Sequence, residues 1–598
     1  MKILLPVLIG TLLLANCNQQ SNQNHDTNKK GEIEERLQMA YNRIMYGNTP
    51  QITAQFLLAC LNQDQKYKRR FTEYSGDQPG RYLSIMSLRE PTNNPVDLKN
   101  LVSEILSLQR PDGRFGDLNL EFNSDNITGE HMALLWGNGR LLAGMLDYYE
   151  KYKDEKVLES AKKLAEFLIS TTRSCTTEKN IGKLKNMGAM GFICFTQNLE
   201  GFVKLGRITG DNKYIALSEK IYPLLPEKGN QHSHGFLLTL RGTLMLWNYT
   251  HKKEQLNFVK EKYNEVINGK EFQVTGGVPE FFGSQVIDYG FRNEGCSESD
   301  FMMLSFELWK ATGEVFYLEK AEYCLYNELY YNQYKTGDFG SHHIDTTFGF
   351  RTYFDEDRAW WCCTYHGIMG LDEAEKSIVT LKDDTVSIHL YLQTRFKNSN
   401  TEINLFKDGQ NYEIWLDKIP ADEFVIALRK PSWAKSMKIM VDYDTVHATL
   451  KGDYYYISRK WKNKDIIKIS FDYKIQIQGK SGKRYSLENF PNKVTTGAIQ
   501  YGPYLLAVDD DLNWEYMSEP SFNNVIFLDE KSFVPVNDSI VKQFENSKVL
   551  DGYVETSYSH EGMYGKYKVV MRPLSENTFQ HPSNVRIWFN IEKFKSDK

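Results

Sequence analysis

Two stretches far apart in the chain decide the fold: Ile208-Thr209-Gly210-Asp211-Asn212-Lys213-Tyr214 and Ala311-Thr312-Gly313-Glu314-Val315-Phe316-Tyr317. Each follows a run with apolar residues at three- and four-residue spacing and precedes another such run. The glycine stands where a helix ends in a left-handed residue, and the acidic residue opens the next helix. Each stretch therefore reads as the connector of a helical hairpin. Lys153-Asp154-Glu155 and His251-Lys252-Lys253 occupy equivalent breaks. The pairs so defined are 131–152 with 156–170, 199–208 with 214–225, 236–248 with 256–267, and 301–312 with 315–332. The breaks recur roughly every 40 to 60 residues, a helical-hairpin period. Helical spacing in 34–46, 52–61 and 98–108 extends the helical region over residues 32–378. A series of hairpins closes naturally into an (α/α)6 toroid of inner and outer helices, with a central cleft and Gly-rich loops along one rim. An open helical solenoid is the alternative arrangement.

Beyond residue 378 the period changes. Residues 385–394, 402–406, 412–416, 424–429, 438–441, 454–458 and 466–471 alternate apolar and polar side chains between Gly, Asn, Asp and Lys turns. That pattern predicts a β-sandwich. Residues 494–598 continue in the same style, with strands expected at 569–572 and 585–591. The fold class is multidomain α plus β, an (α/α)6 toroid followed by C-terminal antiparallel β-sandwich domains. The expected organisation is a signal over 1–17, a tether over 18–30, the barrel over 31–380, a β-sandwich over 381–480, and a second or extended β-module over 481–598. A chain of 598 residues is too long for one ordinary domain.

Composition narrows the function. Hydrophobic residues at 41% and charged residues at 25% fit a folded globular chain rather than a disordered one. A net charge of −5 leaves no basic footprint for nucleic acid. The 36 Tyr, 33 Phe and 10 Trp lean towards a carbohydrate partner, whose rings stack on aromatic faces, although Tyr-rich strands and cores give the same count. Met1-Lys2, an apolar run over 3–14, and Ala15-Asn16-Cys17 read as a secretory signal rather than a membrane span. The segment ending at Cys17 resembles a bacterial lipobox, with Asn16 where Gly, Ala or Ser is usual. The polar stretch 18–30 then reads as a flexible tether. The expected location is exported and lipid-anchored, facing the periplasm or on the outer membrane of a Gram-negative bacterium. Seven cysteines remain after Cys17, an odd number that leaves at least one free thiol. Cys60, Cys175, Cys194 and Cys324 read as small core residues.

The other three cysteines carry chemistry. Glu294-Gly295-Cys296 lies upstream of Arg358-Ala359-Trp360-Trp361-Cys362-Cys363-Thr364-Tyr365-His366-Gly367. Together they supply three thiols and one carboxylate, enough for the four-coordinate shell of Zn²⁺. A thiol beside a metal becomes a thiolate, which is a nucleophile. Glu294 and Cys296 are expected on one side of an extended segment, and Cys362 with Cys363 on an irregular loop. The plain alternative is a surface glutamate and buried cysteines. Two such motifs, each at a hairpin junction, weigh against it.

These motifs, with residues 301–332 and their Thr312-Gly313-Glu314 and Leu325-Tyr326-Asn327, resemble the β-L-arabinofuranosidase group, glycoside hydrolase family 127 and its relatives. The resemblance runs from about Thr128 through the first β-domain. It implies an (α/α)6 barrel with β-sandwich domains, and zinc held by Glu294, Cys296, Cys362 and Cys363. It implies a retaining glycosidase with a cysteine nucleophile, taken as Cys362, with adjacent Cys363 as competitor. The acid/base it implies is a glutamate upstream of the Glu-x-Cys. Glu280, in Thr275-Gly276-Gly277-Val278-Pro279-Glu280-Phe281-Phe282-Gly283, is the choice, and Asp288 the competitor. The spacing from Glu280 to Glu294 is shorter than the family pattern.

The chain also departs from that pattern. Thr364-Tyr365-His366 stands where the family has Pro-Pro-Asn. The family's sugar-binding histidines lack clean counterparts. His232 and His234 on one loop, and His342 and His343 on another, are expected to contact sugar instead, since imidazole hydrogen-bonds hydroxyls. The alternative is that they sit on the surface or behind the site. No carboxylate arrangement near them in the sequence supports a second metal. Trp136, Trp360 and Trp361 are expected stacking residues, with core packing the alternative for Trp136.

The expected function is a retaining exo-glycosidase that releases a terminal L-arabinofuranose-like sugar from plant oligo- or polysaccharide. The alternatives are a related glycosidase acting on an acidic or branched pectic sugar, and a non-catalytic carbohydrate-binding lipoprotein with structural zinc. Membrane contact is expected only through the lipid anchor, and the oligomeric state is left open.

Overall fold

The computed structural model describes residues 30–48, 50–61, 73–283, 291–345, 349–352, 361–419, 423–442, 444–510, 512–518, 524–528, 534–535, 552, 554–559, 567–577 and 585–593. The expected signal with Cys17, nearly all of the tether, Asp288 and Trp360 lie outside these residues. For His343 and Trp361 the backbone alone is described. Among the described residues no helix is long and apolar enough to cross a membrane.

Twelve described helices build the barrel: α1 (Glu32–Tyr46), α2 (Asp77–Leu88), α3 (Leu98–Ser107), α4 (Gly129–Tyr152), α5 (Glu155–Cys175), α6 (Leu199–Thr209), α7 (Asn212–Ile221), α8 (Ser233–Thr250), α9 (Lys253–Ile267), α10 (Gly295–Thr312), α11 (Val315–Cys324) and α12 (Trp361–Lys376). The even-numbered helices pack side by side, α2 on α4, α4 on α6, α6 on α8, α8 on α10 and α10 on α12. Helix α12 packs back on α2, so the ring closes and the arrangement is a toroid, not an open solenoid. The odd-numbered helices form the outer layer, for example α5 on α4, α9 on α8 and α11 on α10.

Sequence periodicity explains the two layers. Outer α5 buries Val157, Leu158, Ala161, Leu164, Ala165 and Leu168, a stripe at three- and four-residue spacing. Inner α4 and α10 are buried on nearly every side, so their patterns are apolar and small all round. Helix α2 escaped the periodicity reading because Pro79 and Gly80 look like breakers. Pro79 falls in the first turn, where its missing N–H has no intrahelical partner to lose. Gly80 lets α2 press on α4 at Gly144, and a Cβ on either glycine would overlap the other helix's backbone.

The four connectors behave alike. Lys153, Gly210, His251 and Gly313 all end their helices with positive φ, at 56°, 70°, 56° and 74°. Asp154 and Asp211 then cap the next helices, each accepting a 3.0 Å bond from the backbone N–H two residues on.

Three strands sit among the barrel helices: β1 (Phe291–Glu294), β2 (Ser341–Asp345) and β3 (Gly349–Thr352), paired antiparallel in that order. Between Val379 and Tyr473 the described strands form a six-stranded and a five-stranded sheet. Asn411–Lys418 buries Tyr412, Ile414 and Leu416, while its neighbour Ile466–Tyr473 buries Ile467, Ile469 and Phe471, the period-two pattern of half-buried strands. From Ile475 to Lys593 a third β-unit follows. Its Ala498, Leu505, Val585 and Ile587 share a small core with Val274 and Tyr331 of the barrel. Cys60, Cys175, Cys194 and Cys324 are buried free thiols, as expected of core residues.

Gly210 and Gly313 have open space where a Cβ would go, so their conformation alone sets the cost of a side chain. Gly210→Ala and Gly313→Ala should each destabilise the barrel by about 1–2 kcal/mol, and the double variant by about the sum. Denaturant unfolding of the three variants against the parent measures this.

Candidate active site

The three motif cysteines converge. One Sγ from each of Cys296, Cys362 and Cys363 lies within 4.8 Å of the others, and Cys296 Sγ is 3.8 Å from Cys363 Sγ. Cys296 belongs to the first turn of α10, and Cys362 and Cys363 to the first turn of α12. The irregular loop expected for the vicinal pair is therefore a helix start. Adjacent helical residues point about 100° apart, so both thiols reach one point only because the neighbouring helix brings Cys296 there. Two helix N-termini aim their positive ends at these sulfurs, which favours thiolate. Cys296 and Cys363 are fully buried, while Cys362 is partly exposed. Hydrogen bonds from Cys296 and Cys363, with the nearby Arg81 charge, hold the Cys362 thiol far below its ordinary range. Burial first, then these contacts, push Cys296 up, and burial likewise pushes Cys363 up.

Glu294 and Cys296 do not lie on one extended segment. The chain turns from strand to helix between them, leaving Glu294 at the end of β1. Its carboxylate groups with His232 and Glu280. Oε1 accepts from His232 Nε2 at 3.1 Å and from Ser297 Oγ at 3.2 Å. The Glu294 charge still reaches Cys362 and Cys363.

Glu280 is pinned by its backbone. Its N–H donates to Arg292 O at 2.8 Å and its carbonyl accepts from Ser233 N at 2.9 Å. The side chain is buried and ion-pairs with Arg292. Burial, reinforced by the neighbouring Glu294, pushes Glu280 up to about 7. A carboxyl near that value serves as a proton donor and, once ionised, as an acceptor.

Arg81 on α2 completes the site, and the sequence reading missed it with its helix. It is held by Asp77 Oδ1 at 2.8 Å and donates to His234 Nε2 at 2.9 Å and to His366 Nδ1. It also lies 4.0 Å from Cys296 Sγ. His234, His366 and Cys296 are close enough together to hold a metal ion. The guanidinium already engages both imidazoles, so the sulfur trio is the better metal site. Burial and Arg81 keep both histidines far below their usual range, hence neutral. His234 Nδ1–H donates to Asp300, which also accepts from Arg241 Nη1 at 2.9 Å.

The remaining expected contacts divide. His232 lines the Glu280 and Glu294 pocket, edge-on to Trp136 at 6.4 Å and tilted on Phe281 at 5.0 Å. Trp136 is buried, its indole N–H donating to Asp77 Oδ1 at 2.9 Å and its ring edge-on to His234. His342 sits elsewhere. Its Nδ1 accepts from Asn332 Nδ2 at 3.1 Å, and its Nε2–H donates to Glu328 Oε1 at 3.0 Å. That leaves no open edge of the ring for a sugar. The structure also corrects the view that no carboxylates accompany the histidine pairs, since Glu298 and Glu328 lie beside His342. Asn332 fixes the His342 tautomer, because its Oδ1 accepts from Gly340 N at 2.8 Å and its amide nitrogen must face the ring. With Nε2 protonated, this cluster is a hydrogen-bonded one. Burial and Glu328 drive Glu298 far up, to the neutral carboxyl.

The comparisons with known proteins agree with this picture. The catalytic-domain model described as β-L-arabinofuranosidase, GH127, matches residues 62–371, and the GH127 middle-domain model matches residues 378–473. A GH127 β-L-arabinofuranosidase from Geobacillus stearothermophilus T6 overlays with a TM-score of 0.65 at 14% identity, covering 94% of this chain and 99% of its own. A second GH127 β-arabinofuranosidase overlays at 0.64 with 14% identity, covering 93% and 94%. A structure described as a glycoside hydrolase overlays at 0.61 with 16% identity, covering 88% and 95%. At these identities the likeness is one of fold. No curated protein matches the sequence.

Removing Arg241 would leave buried Asp300 without its guanidinium partner. Arg241→Met should cost about 3–5 kcal/mol in denaturant unfolding, and Asp300→Asn in the same chain should recover part of it.

Proposed function

That the chain belongs to glycoside hydrolase family 127 is the premise on which we propose a retaining exo-glycosidase for a terminal β-L-arabinofuranose-like sugar, with Cys362 as nucleophile and Glu280 as acid/base. The observation that carries this reading is the meeting of three sulfurs at two helix N-termini beside a buried carboxyl. Of the two similar GH127 structures, one is a β-L-arabinofuranosidase and the other a β-arabinofuranosidase, which supports the choice of sugar.

The roles follow from the surroundings of each group. Cys362 is the most exposed and the most acidic of the three thiols. Its thiolate attacks the anomeric carbon, forming the C–S bond as the glycosidic C–O bond breaks. Glu280 gives its proton to the departing oxygen. Glu280, now a carboxylate, takes a proton from water. That water attacks the same carbon, the C–S bond breaks, and the thiolate returns. His232 orients Glu294, and the Phe281 ring packs against His232.

The sulfurs also fit zinc. The 3.8 Å between the Cys296 and Cys363 sulfurs matches the edge of a tetrahedron with Zn–S bonds of about 2.3 Å. Cys296, Cys362 and Cys363 would hold the ion, with Glu294 as the nearby carboxylate. Bound zinc supplies positive charge that keeps sulfur deprotonated at neutral pH.

A panel of aryl glycosides and pectic oligosaccharides tests the reading on full-length, metal-loaded protein. Release of L-arabinose from the β-L-arabinofuranoside is expected, and a panel left wholly intact would sink it. Cys362→Ser should be inactive yet folded. Glu280→Gln should lose roughly 10²–10⁴-fold on substrates with poor leaving groups and much less on activated aryl glycosides. Chelation should abolish turnover and zinc should restore it.

We extend the proposal to lipid anchoring at Cys17, which rests on the sequence of residues 1–17. Metabolic palmitate labelling of the chain in a bacterial host, lost in Cys17→Ser, is the expected result.

A further inference from the structure

A cleft of about 150 Å³ opens where the barrel, the sandwich and the last β-unit meet. Outer helix α11 lines it with Phe316, Lys320 and Tyr323, the sandwich with Trp433, and the last β-unit with Arg484 and Gln500. Two cations share this space. Neither the Lys320 ammonium nor the Arg484 guanidinium has an ion-pair or hydrogen-bond partner within bonding distance among the described residues, and the Arg484 charge lowers the affinity of Lys320 for its proton. Glu319, partly exposed, offsets part of the Lys320 charge, whereas Glu322 is engaged by the sandwich. Glu322 accepts from Arg429 and from Trp433 Nε1 at 2.9 Å, and Glu319 accepts from Ser432 N at 2.8 Å. Lys320 is half-buried, packed over the Phe272 and Phe316 rings at 5.4 and 5.5 Å, and loss of hydration depresses it to about 8. Arg484 is exposed and Lys320 half-buried; the two like charges repel, and an anion seated between them would relieve that repulsion.

We propose that this cleft binds the carboxylate of an acidic sugar unit, with Lys320 and Arg484 as its two cationic contacts. The chemistry of the walls selects this occupant. A partly exposed Phe316 face and Tyr323 offer stacking surfaces, and the Gln476, Gln500 and Ser432 side chains offer donors and acceptors for hydroxyls. The cavity is small enough for one charged ring rather than a chain of them. In a glycoside hydrolase, the anion that also brings hydroxyls and a ring face is a uronic acid. The inference uses the chain's membership of a glycan-hydrolysing family and does not depend on the cysteine mechanism. Its consequence is a secondary site that retains uronate-bearing polysaccharide while a terminal sugar is cut elsewhere.

Calorimetric titration of full-length protein with a galacturonate oligosaccharide tests it. Binding is expected, with at least tenfold weakening in Lys320→Met and in Arg484→Gln and further weakening as salt is raised. The neutral, carboxyl-reduced oligosaccharide should bind at least tenfold less well. Hydrolysis of a small aryl glycoside should be unchanged in both variants, which separates failure of this site from failure of the active-site reading. The proposal is overturned if the uronate does not bind, if both variants bind it as the parent does, or if the reduced oligosaccharide binds equally. It is also overturned if inorganic phosphate binds at Lys320 and Arg484 and the uronate does not displace it.

Discussion

The structure depends on a series of paired charges that link neighbouring inner helices of the ring. Every inner helix contributes to it. Arg81 on α2 binds Asp77, and Asp147 on α4 accepts from Ser84 of α2 and Lys204 of α6, each at 2.7 Å. Arg140 on α4 donates to Glu200 on α6 at 2.7 Å, and Arg241 on α8 to Asp300 and Glu307 on α10. His366 on α12 accepts from Arg81 and closes the circuit. Buried charges are tolerated only when paired and hydrogen-bonded, because each lone ion loses several kcal/mol of hydration. The pairing therefore fixes which helix neighbours which, and a slip of one helix would strand ions on both sides.

That network ends at sulfur. Arg81 is the link, because it is held by Asp77, spans His234 and His366, and brings its charge to Cys296 and Cys362. The helix starts of α10 and α12 add their positive ends. The lowered proton affinity of the Cys362 thiol thus arises from the barrel's own electrostatics.

The β-units brace the barrel. Asn327 donates to Pro503 O at 2.9 Å and accepts from Leu505 N at 2.6 Å, tying the turn after α11 to the last unit. Glu322 holds Arg429 and Trp433 of the sandwich. The segment Leu325–Leu329 is a π turn, the wider winding that directs Glu328 inward against His342 and Asn327 outward to the last unit. The Leu325-Tyr326-Asn327 run, read in the sequence as part of a family signature, acts here as the joint between modules.

How much the sequence determined can be argued residue by residue. The connectors at Gly210 and Gly313, the change from helical to alternating period after residue 378, and the identity of the cysteine motifs were all legible, because helix ends, strand faces and thiols are local properties. Glu280, one of two acidic choices in the sequence, lies in a buried pocket with His232 and Glu294. Tertiary structure decided the rest. Helix α2 hid behind Pro79 and Gly80, residues whose tolerance depends on their place in a first turn and against another helix. Arg81 went unseen with it. His342 read as a sugar contact until Asn332 and Glu328 enclosed it. The closure of α12 on α2, the meeting of Glu294 with His232 and Glu280, and the greater exposure of Cys362 over Cys363 are all non-local. They depend on which side chains distant in sequence become neighbours, and that is set by the packing of six inner helices linked by paired charges.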